Sequence, residues 1–352
     1  VEGPHLYKHF GRYYLMVAEG GTGSNHAVTI AVADKVTGPY LGNERNPILT
    51  SRHLTQKNWV GSTGHADIIQ LPDNRWYMFL LGVQGNSNMG RETHLVPVLW
   101  EQEQEEWKNP RHWWPVAAPE TGRVEHTGNP VPFKGTKQIL PSKFRDDFDE
   151  ETLDFEWNFR RVPRPGTYSL TTRKGFLRLF AKPETIAPCT PCSLLGIRQR
   201  ERCFVFKAAM EFHPASLNIE AGIALFQKDD NYVTLTLKRS VNGFMLQLVS
   251  VEPPDGKTVN IGTEILEGYA GSIEFQVELL DQTLDDPGTC KFSFRMGRSS
   301  SWTSIGGCTG DICRSRGYTG AYFGLYCTSN GQESSVCADF DWVELVNIPP
   351  SL

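Results

Sequence analysis

The residues best suited to chemistry stand in short motifs flanked by small residues. Glu2 opens Glu2-Gly3-Pro4-His5, His65 lies in Gly64-His65-Ala66-Asp67, and Arg91 lies in Gly90-Arg91-Glu92-Thr93. A carboxyl that keeps its proton near the working pH can act as a general acid. A planar guanidinium can donate two bonds to neighbouring oxygens, or hold a nearby acid charged. An imidazole can hydrogen-bond or ligate a divalent cation. Each residue also has an ordinary use: a solvated acid at a chain start, a satisfied histidine beside a strand, a surface ion pair with Glu92. Gly20-Gly21-Thr22-Gly23 looks superficially like a phosphate loop, but lacks the lysine and the following helix.

A second set is the cysteines. All 8 follow Pro188, from Cys189 to Cys337. An even number confined to one half predicts disulfides within one domain, and hence an oxidising, extracellular setting. The rival use is a zinc site or buried thiols. Cys189-Thr190-Pro191-Cys192 has the zinc-type spacing, but Cys308 and Cys313 stand further apart and histidine is sparse nearby. The pairing is not readable from spacing.

The elements that position these residues read as strands. The 352 residues suffice for about two domains of roughly 150 residues. The net charge is -5 with no basic stripe, which argues against nucleic acid as a partner. No apolar run approaches the roughly 20 residues of a membrane helix, so no membrane partner is expected. Gly 33, Pro 22 and 11% aromatics predict an all-β chain of short strands and turns. In the first part, strands are expected at 12–17, 27–33, 66–71, 75–80 and 95–100, with a hairpin turn at Pro72-Asp73-Asn74. An aromatic strand after a turn recurs at Tyr13-Tyr14 and Trp76-Tyr77, the pattern of propeller blades of about 40 residues. Two to three such blades fit before the proline-rich stretch from Pro110 to Pro141, which reads as a packed linker. Beyond it, alternating runs at 176–180, 204–208, 222–226, 232–237, 244–249 and 272–277 predict a two-sheet β-sandwich. The expected domains are 1–140 and 141–352. Asp147 and Asp341 fall near the two ends of the sandwich, where a calcium site from their carboxylates is one reading and exposed strand-end acids the other.

The order of the motifs carries a resemblance. Glu2-Gly3-Pro4-His5 is followed by Ala18-Glu19-Gly20-Gly21-Thr22-Gly23, His26-Ala27-Val28-Thr29, Thr37-Gly38-Pro39-Tyr40 and Asn46-Pro47-Ile48-Leu49-Thr50. Gly64-His65-Ala66-Asp67 and Gly90-Arg91-Glu92-Thr93 come next, then Gly317-Tyr318-Thr319-Gly320-Ala321 and Ala338-Asp339-Phe340-Asp341. This series, over nearly the whole chain, resembles glycoside hydrolase family 43, the β-xylosidase and α-L-arabinofuranosidase group. The resemblance implies a five-bladed propeller with a central pocket, followed by a concanavalin-like sandwich. It implies inverting exo-hydrolysis of terminal xylose or arabinose from xylan-type oligosaccharides, with no cofactor required. Glu2 matches the family's general acid, and His65 a pocket-floor histidine that binds sugar or water or ligates a cation. Arg91 matches the substrate-binding arginine. Tyr318 stands where the group has a phenylalanine, on a loop that shortens the pocket.

The family's catalytic base and its third acidic residue precede the Glu-Gly-Pro motif, and Asp34 and Asp67 do not sit in the base's motif. Val1-Glu2-Gly3-Pro4-His5 has neither the basic start nor the apolar core of a secretion leader. The expectation is therefore the C-terminal part of a secreted enzyme, whose other blades belong to a separate or missing N-terminal segment. Two alternatives stay open: a non-catalytic carbohydrate-binding protein, and a family 43 enzyme specific for galactan or arabinan.

Overall fold

A computed structural model describes residues 1–55, 58–85, 87–105, 107–108, 110–125, 143–297, 300–314 and 318–348. Every regular element among them is a β-strand. Among the described residues no helix is long and apolar enough to cross a membrane. The chain forms two compact units, Val1–Gly85 with Arg91–Thr136, and Asn86–Gly90 with Lys137–Leu352. Much of the expected linker, residues 126–142 with Pro130, Pro132 and Pro141, lies outside the described residues.

The first unit holds two antiparallel sheets. In one, β1 (Glu2–His9), β2 (Arg12–Glu19) and β3 (Ala27–Ala33) run in order, and β4 (Leu41–Gly42) and β5 (Leu49–Thr50) both pair with β3. In the other, β6 (Val60–Gln70), β7 (Trp76–Gln84), β8 (Arg91–Gln102) and β9 (Trp113–Ala117) follow one another. The turns use the expected chemistry. Phe10 and Gly11 take φ of 48° and 73°, and Asn74 takes φ of 68° with its amide donating to the Leu71 carbonyl at 2.9 Å.

Alternation along the strands sends one face of each sheet into a shared core. Tyr14, Met16, Ile30 and Val32 come from the first sheet, and Ile68, Met78, Leu80 and Val96 from the second. The outward faces are apolar as well: Leu6 is 51% exposed, Phe79 39%, Leu95 39% and Leu99 50%. A five-stranded and a four-stranded blade packed on a common core, each with a second apolar face, form part of a β-propeller. β1 was not anticipated as a strand. Its residues alternate between exposed and half-buried, but the half-buried positions are Gly3, His5, Tyr7 and His9, so the sequence shows no apolar alternation.

The second unit begins with β10 (Lys143–Asp146), β11 (Trp157–Phe159), β12 (Tyr168–Ser169), β13 (Leu177–Phe180) and β14 (Ser193–Arg198). The long strands β15 (Cys203–Glu211), β16 (Glu220–Lys228), β17 (Asn231–Ser240), β18 (Gly243–Glu252) and β19 (Lys257–Ile265) come next. β20 (Ser272–Leu279), β21 (Thr289–Arg295), β22 (Thr303–Thr309), β23 (Tyr322–Thr328) and β24 (Cys337–Ile348) complete it. One sheet runs β12-β13-β24-β15-β20-β21-β22, with β10 also on β24; the other runs β11-β14-β23-β16-β17-β18-β19. Phe204, Phe206, Phe275, Phe292, Phe323 and Phe340 are wholly buried between them. Phe206 stacks on Phe323 of the facing sheet at 5.1 Å between ring centres. Burial of each such ring contributes about 2–3 kcal/mol. This is a β-sandwich.

Candidate functional site

Three of the predicted residues converge at one end of the two blades. Glu2 starts β1 opposite Ala18, and Ala18 lies opposite Val28 of β3. In the second blade Gly61, Val83 and Arg91 form one row across β6, β7 and β8, which places Arg91 beside the first half of β6. His65 follows Gly64 in a stretch of β6 where the register slips on both sides of Gly64. The slip is built into the backbone: Ser62 and His65 take φ of 54° and 51°. Positive φ is uncommon for any residue but glycine, and such local strain is held in place by the surrounding packing.

The packing is specific. Gly3 takes φ of 56°, and a Cβ there would lie 2.6 Å from His65 Nε2. The His65 ring therefore rests on the bare Cα next to Glu2, which only glycine permits. A Cβ on Gly64 would lie 2.4 Å from the ring of His26. His26 is buried, donates from Nδ1 to the Ser62 carbonyl at 2.9 Å, and has no hydrogen-bond partner for Nε2 among the described residues. Burial lowers the His26 pKa. The Ser62 bond and the charge of Glu2 raise it, and the charges of Arg91 and His65 lower it further. The ring is thus neutral at pH 7. Below it, the Thr50 hydroxyl donates to the His26 carbonyl at 2.7 Å and the Thr63 amide to Ser51 Oγ at 3.2 Å, tying β5 to β6.

Glu2 itself is exposed, and His65 and Arg91 are half-buried. Asp67 serves a neighbouring network: Tyr7 donates its hydroxyl to Asp67 Oδ1 at 2.5 Å and accepts from the Ile68 amide at 3.1 Å, with His5 Nδ1 at 3.6 Å from the same carboxylate oxygen. Burial and Asp67 together push the Tyr7 hydroxyl pKa up. His26 was missed as a site residue in the sequence, although its motif was quoted. The available signal was a glycine at 64 with no turn to explain it.

The remaining candidates belong to the second unit. Tyr318 is 63% exposed, and Gly317 beside it lies outside the described residues. Asp147 is hydrogen-bonded to Arg145 at 3.0 Å and 3.1 Å. Asp341 lines a shallow hollow with Glu211 and Glu274, but those two acids are engaged by Arg173 and Arg295. No cluster of three metal-ligating side chains, at His65 or elsewhere, occurs among the described residues. A further buried acid is Asp339, which accepts from Arg178 at 2.7 Å and 2.8 Å and from Arg173 at 2.9 Å. The eight cysteines expected in disulfides are all free thiols; Cys313, for example, donates to the Leu225 carbonyl at 3.5 Å.

Comparison with known proteins places this geometry. Residues 145–346 match the family described as beta xylosidase C-terminal concanavalin A-like domain, and residues 1–105 match glycosyl hydrolases family 43. A xylosidase/arabinosidase of Butyrivibrio fibrisolvens is 30% identical over 97% of this chain and 63% of its own length. A non-reducing end α-L-arabinofuranosidase of Bacteroides ovatus is 30% identical over 97% of this chain and 62% of its own length. The solved structure of Bacteroides ovatus xyloglucan PUL GH43B superposes with a TM-score of 0.85 at 28% identity, covering 99% of this chain and 66% of that one. The chain thus spans a little under two thirds of these relatives. With its paired blades and its concanavalin-like sandwich, it belongs to glycoside hydrolase family 43.

Proposed function

We propose that the chain is the C-terminal part of an extracellular exo-acting glycosidase. It releases a terminal xylose or arabinose from xylan-type oligosaccharides with inversion. The observation that carries this reading is the seating of the His65 ring against Gly3, next to Glu2, in a chain whose relatives bear xylosidase and arabinosidase names.

Glu2 protonates the glycosidic oxygen as the bond breaks. Arg91 donates to two neighbouring hydroxyls of the terminal sugar, and His65, fixed against Gly3, hydrogen-bonds the same sugar. A carboxylate on the opposite face activates water across a gap of about 6.5–9.5 Å, which admits the water and inverts the anomeric centre. That base, and the acid that tunes Glu2, come from polypeptide outside this chain. Two observations support this: the chain holds two blades, and both outward faces are apolar and open at Leu6, Phe79 and Leu95.

Glu2→Gln in the full-length protein tests the reading. The expected result is a loss of kcat of roughly 10²–10⁴ on unactivated xylobiose, with a much smaller loss on nitrophenyl glycosides whose leaving group needs no proton. Equal activity of the two proteins on xylobiose overturns the role of Glu2. Sugar binding without turnover in the wild type makes the protein a carbohydrate-binding one instead.

A further inference from the structure

The hairpin of β21 and β22 places two cysteines directly opposite one another. Cys290 and Cys308 are register partners in the antiparallel ladder, between the pairs Thr289–Thr309 and Lys291–Gly307. Directly opposed residues have Cα atoms about 4.5–5.5 Å apart, inside the roughly 4.4–6.8 Å that a disulfide spans. Each thiol is therefore the nearest cross-strand neighbour of the other. Cys290 is wholly buried, while Cys308 is half-exposed on β22, the edge strand of its sheet. Of the other cysteines, Cys313 is turned toward the Leu225 carbonyl, and Cys327 and Cys337 lie on β23 and β24, away from this hairpin's ladder.

We propose that Cys290 and Cys308 form a cross-strand disulfide on exposure to a low-molecular-weight disulfide such as oxidised glutathione. The Cys308 thiolate attacks one sulfur of the oxidant, breaking its S–S bond and releasing one glutathione thiolate. Cys290, losing its proton, attacks the Cys308 sulfur of the mixed disulfide and releases the second glutathione. The protein pair gives up two electrons, the oxidant gains them, and the two thiol protons end on the two glutathiones. The product closes residues 290–308 into a covalent loop at the sheet edge, beside the close approach of Gly262 to Ile305. The proposal is independent of the glycosidase reading.

The full-length protein, incubated with oxidised and reduced glutathione, is alkylated under denaturing conditions, digested and analysed by mass spectrometry. The expected product is a single cross-linked peptide pair containing Cys290 and Cys308. The oxidised protein also melts about 5–10 °C above the reduced form. Cys308→Ser abolishes that shift and Cys337→Ser leaves it intact. Full alkylation of Cys290 and Cys308 in the oxidised sample, or a cross-link from either to Cys313, overturns the proposal. The peptide map on the wild type decides the matter even if a serine variant fails to fold.

Discussion

A single hydrogen at Gly3 determines where His65 can sit. The residue combines φ of 56° with an imidazole on its Cα, so Gly3→Ala meets two penalties, backbone strain and a collision at 2.6 Å with a ring. The ring must move by about an ångström, and a displacement of that size at a catalytic site costs about 10²-fold in rate. The expected result for Gly3→Ala in the full-length protein is a fall in kcat of that order, with circular dichroism unchanged; unaltered kinetics would show that His65 is free to stand elsewhere. The candidate residues Glu2, His65 and Arg91 were legible because a carboxyl, an imidazole and a guanidinium recur in an ordered series. The role of His26 was not. A histidine followed by an apolar run looks like strand filler until Gly64 and the Ser62 carbonyl are seen around its ring.

At the scale of strands, β24 is pinned to β13 by charge as well as by its ladder. Arg178 of β13 and Arg173 before it both donate to Asp339. Burial raises the Asp339 pKa, but the bonds from the two arginines outweigh this and hold it below its ordinary value of 3.8. A carboxylate depressed in the folded state contributes stability above its unfolded pKa and loses it as pH falls through the lower, folded one. Asp339→Asn is therefore expected to cost about 3 kcal/mol at pH 7, because it leaves two arginines facing a buried amide. Urea titrations should show that cost shrinking below about pH 4, where the wild type protonates as well; a constant difference at all pH values would refute the account. Strand assignment from sequence worked where one face is buried, as in Ala27–Ala33, and failed for β1, which buries no residue completely. The slips in β6 were invisible for a different reason. Ser62 and His65 adopt left-handed backbone without being glycine or asparagine, so no residue type announces them.

Over the whole molecule, the apolar blade faces are the property that a sequence could announce only indirectly. Phe79 and Leu95 are register partners on the outward face of the second blade, each 39% exposed. If further blades cover that face, Phe79→Asp with Leu95→Asp removes about 2 kcal/mol or more of packing from the full-length protein, seen as a lower melting temperature. The same pair of changes makes the 352-residue polypeptide alone less prone to aggregate in light scattering, since it breaks an open apolar patch. A full-length protein indifferent to both charges would mean that nothing packs there. Blade and sandwich were both foreseeable from strand spacing. That the second unit includes residues 86–90 was not, because nothing in the sequence between two strands of a blade marks it as part of another body.

That membership constrains how the protein can be cut. Ser87, Asn88 and Met89 are buried in the sandwich unit: the Asn88 carbonyl accepts from the Ala321 amide at 2.7 Å, its side chain donates to the Gly310 carbonyl at 3.0 Å, and the Met89 carbonyl accepts from Arg198 at 2.9 Å. A polypeptide of residues 143–352, the natural choice for a dissected domain, would leave behind four residues of its own interior. It should melt below the same region within the intact chain, and a synthetic peptide carrying Ser87–Gly90 is the missing plug.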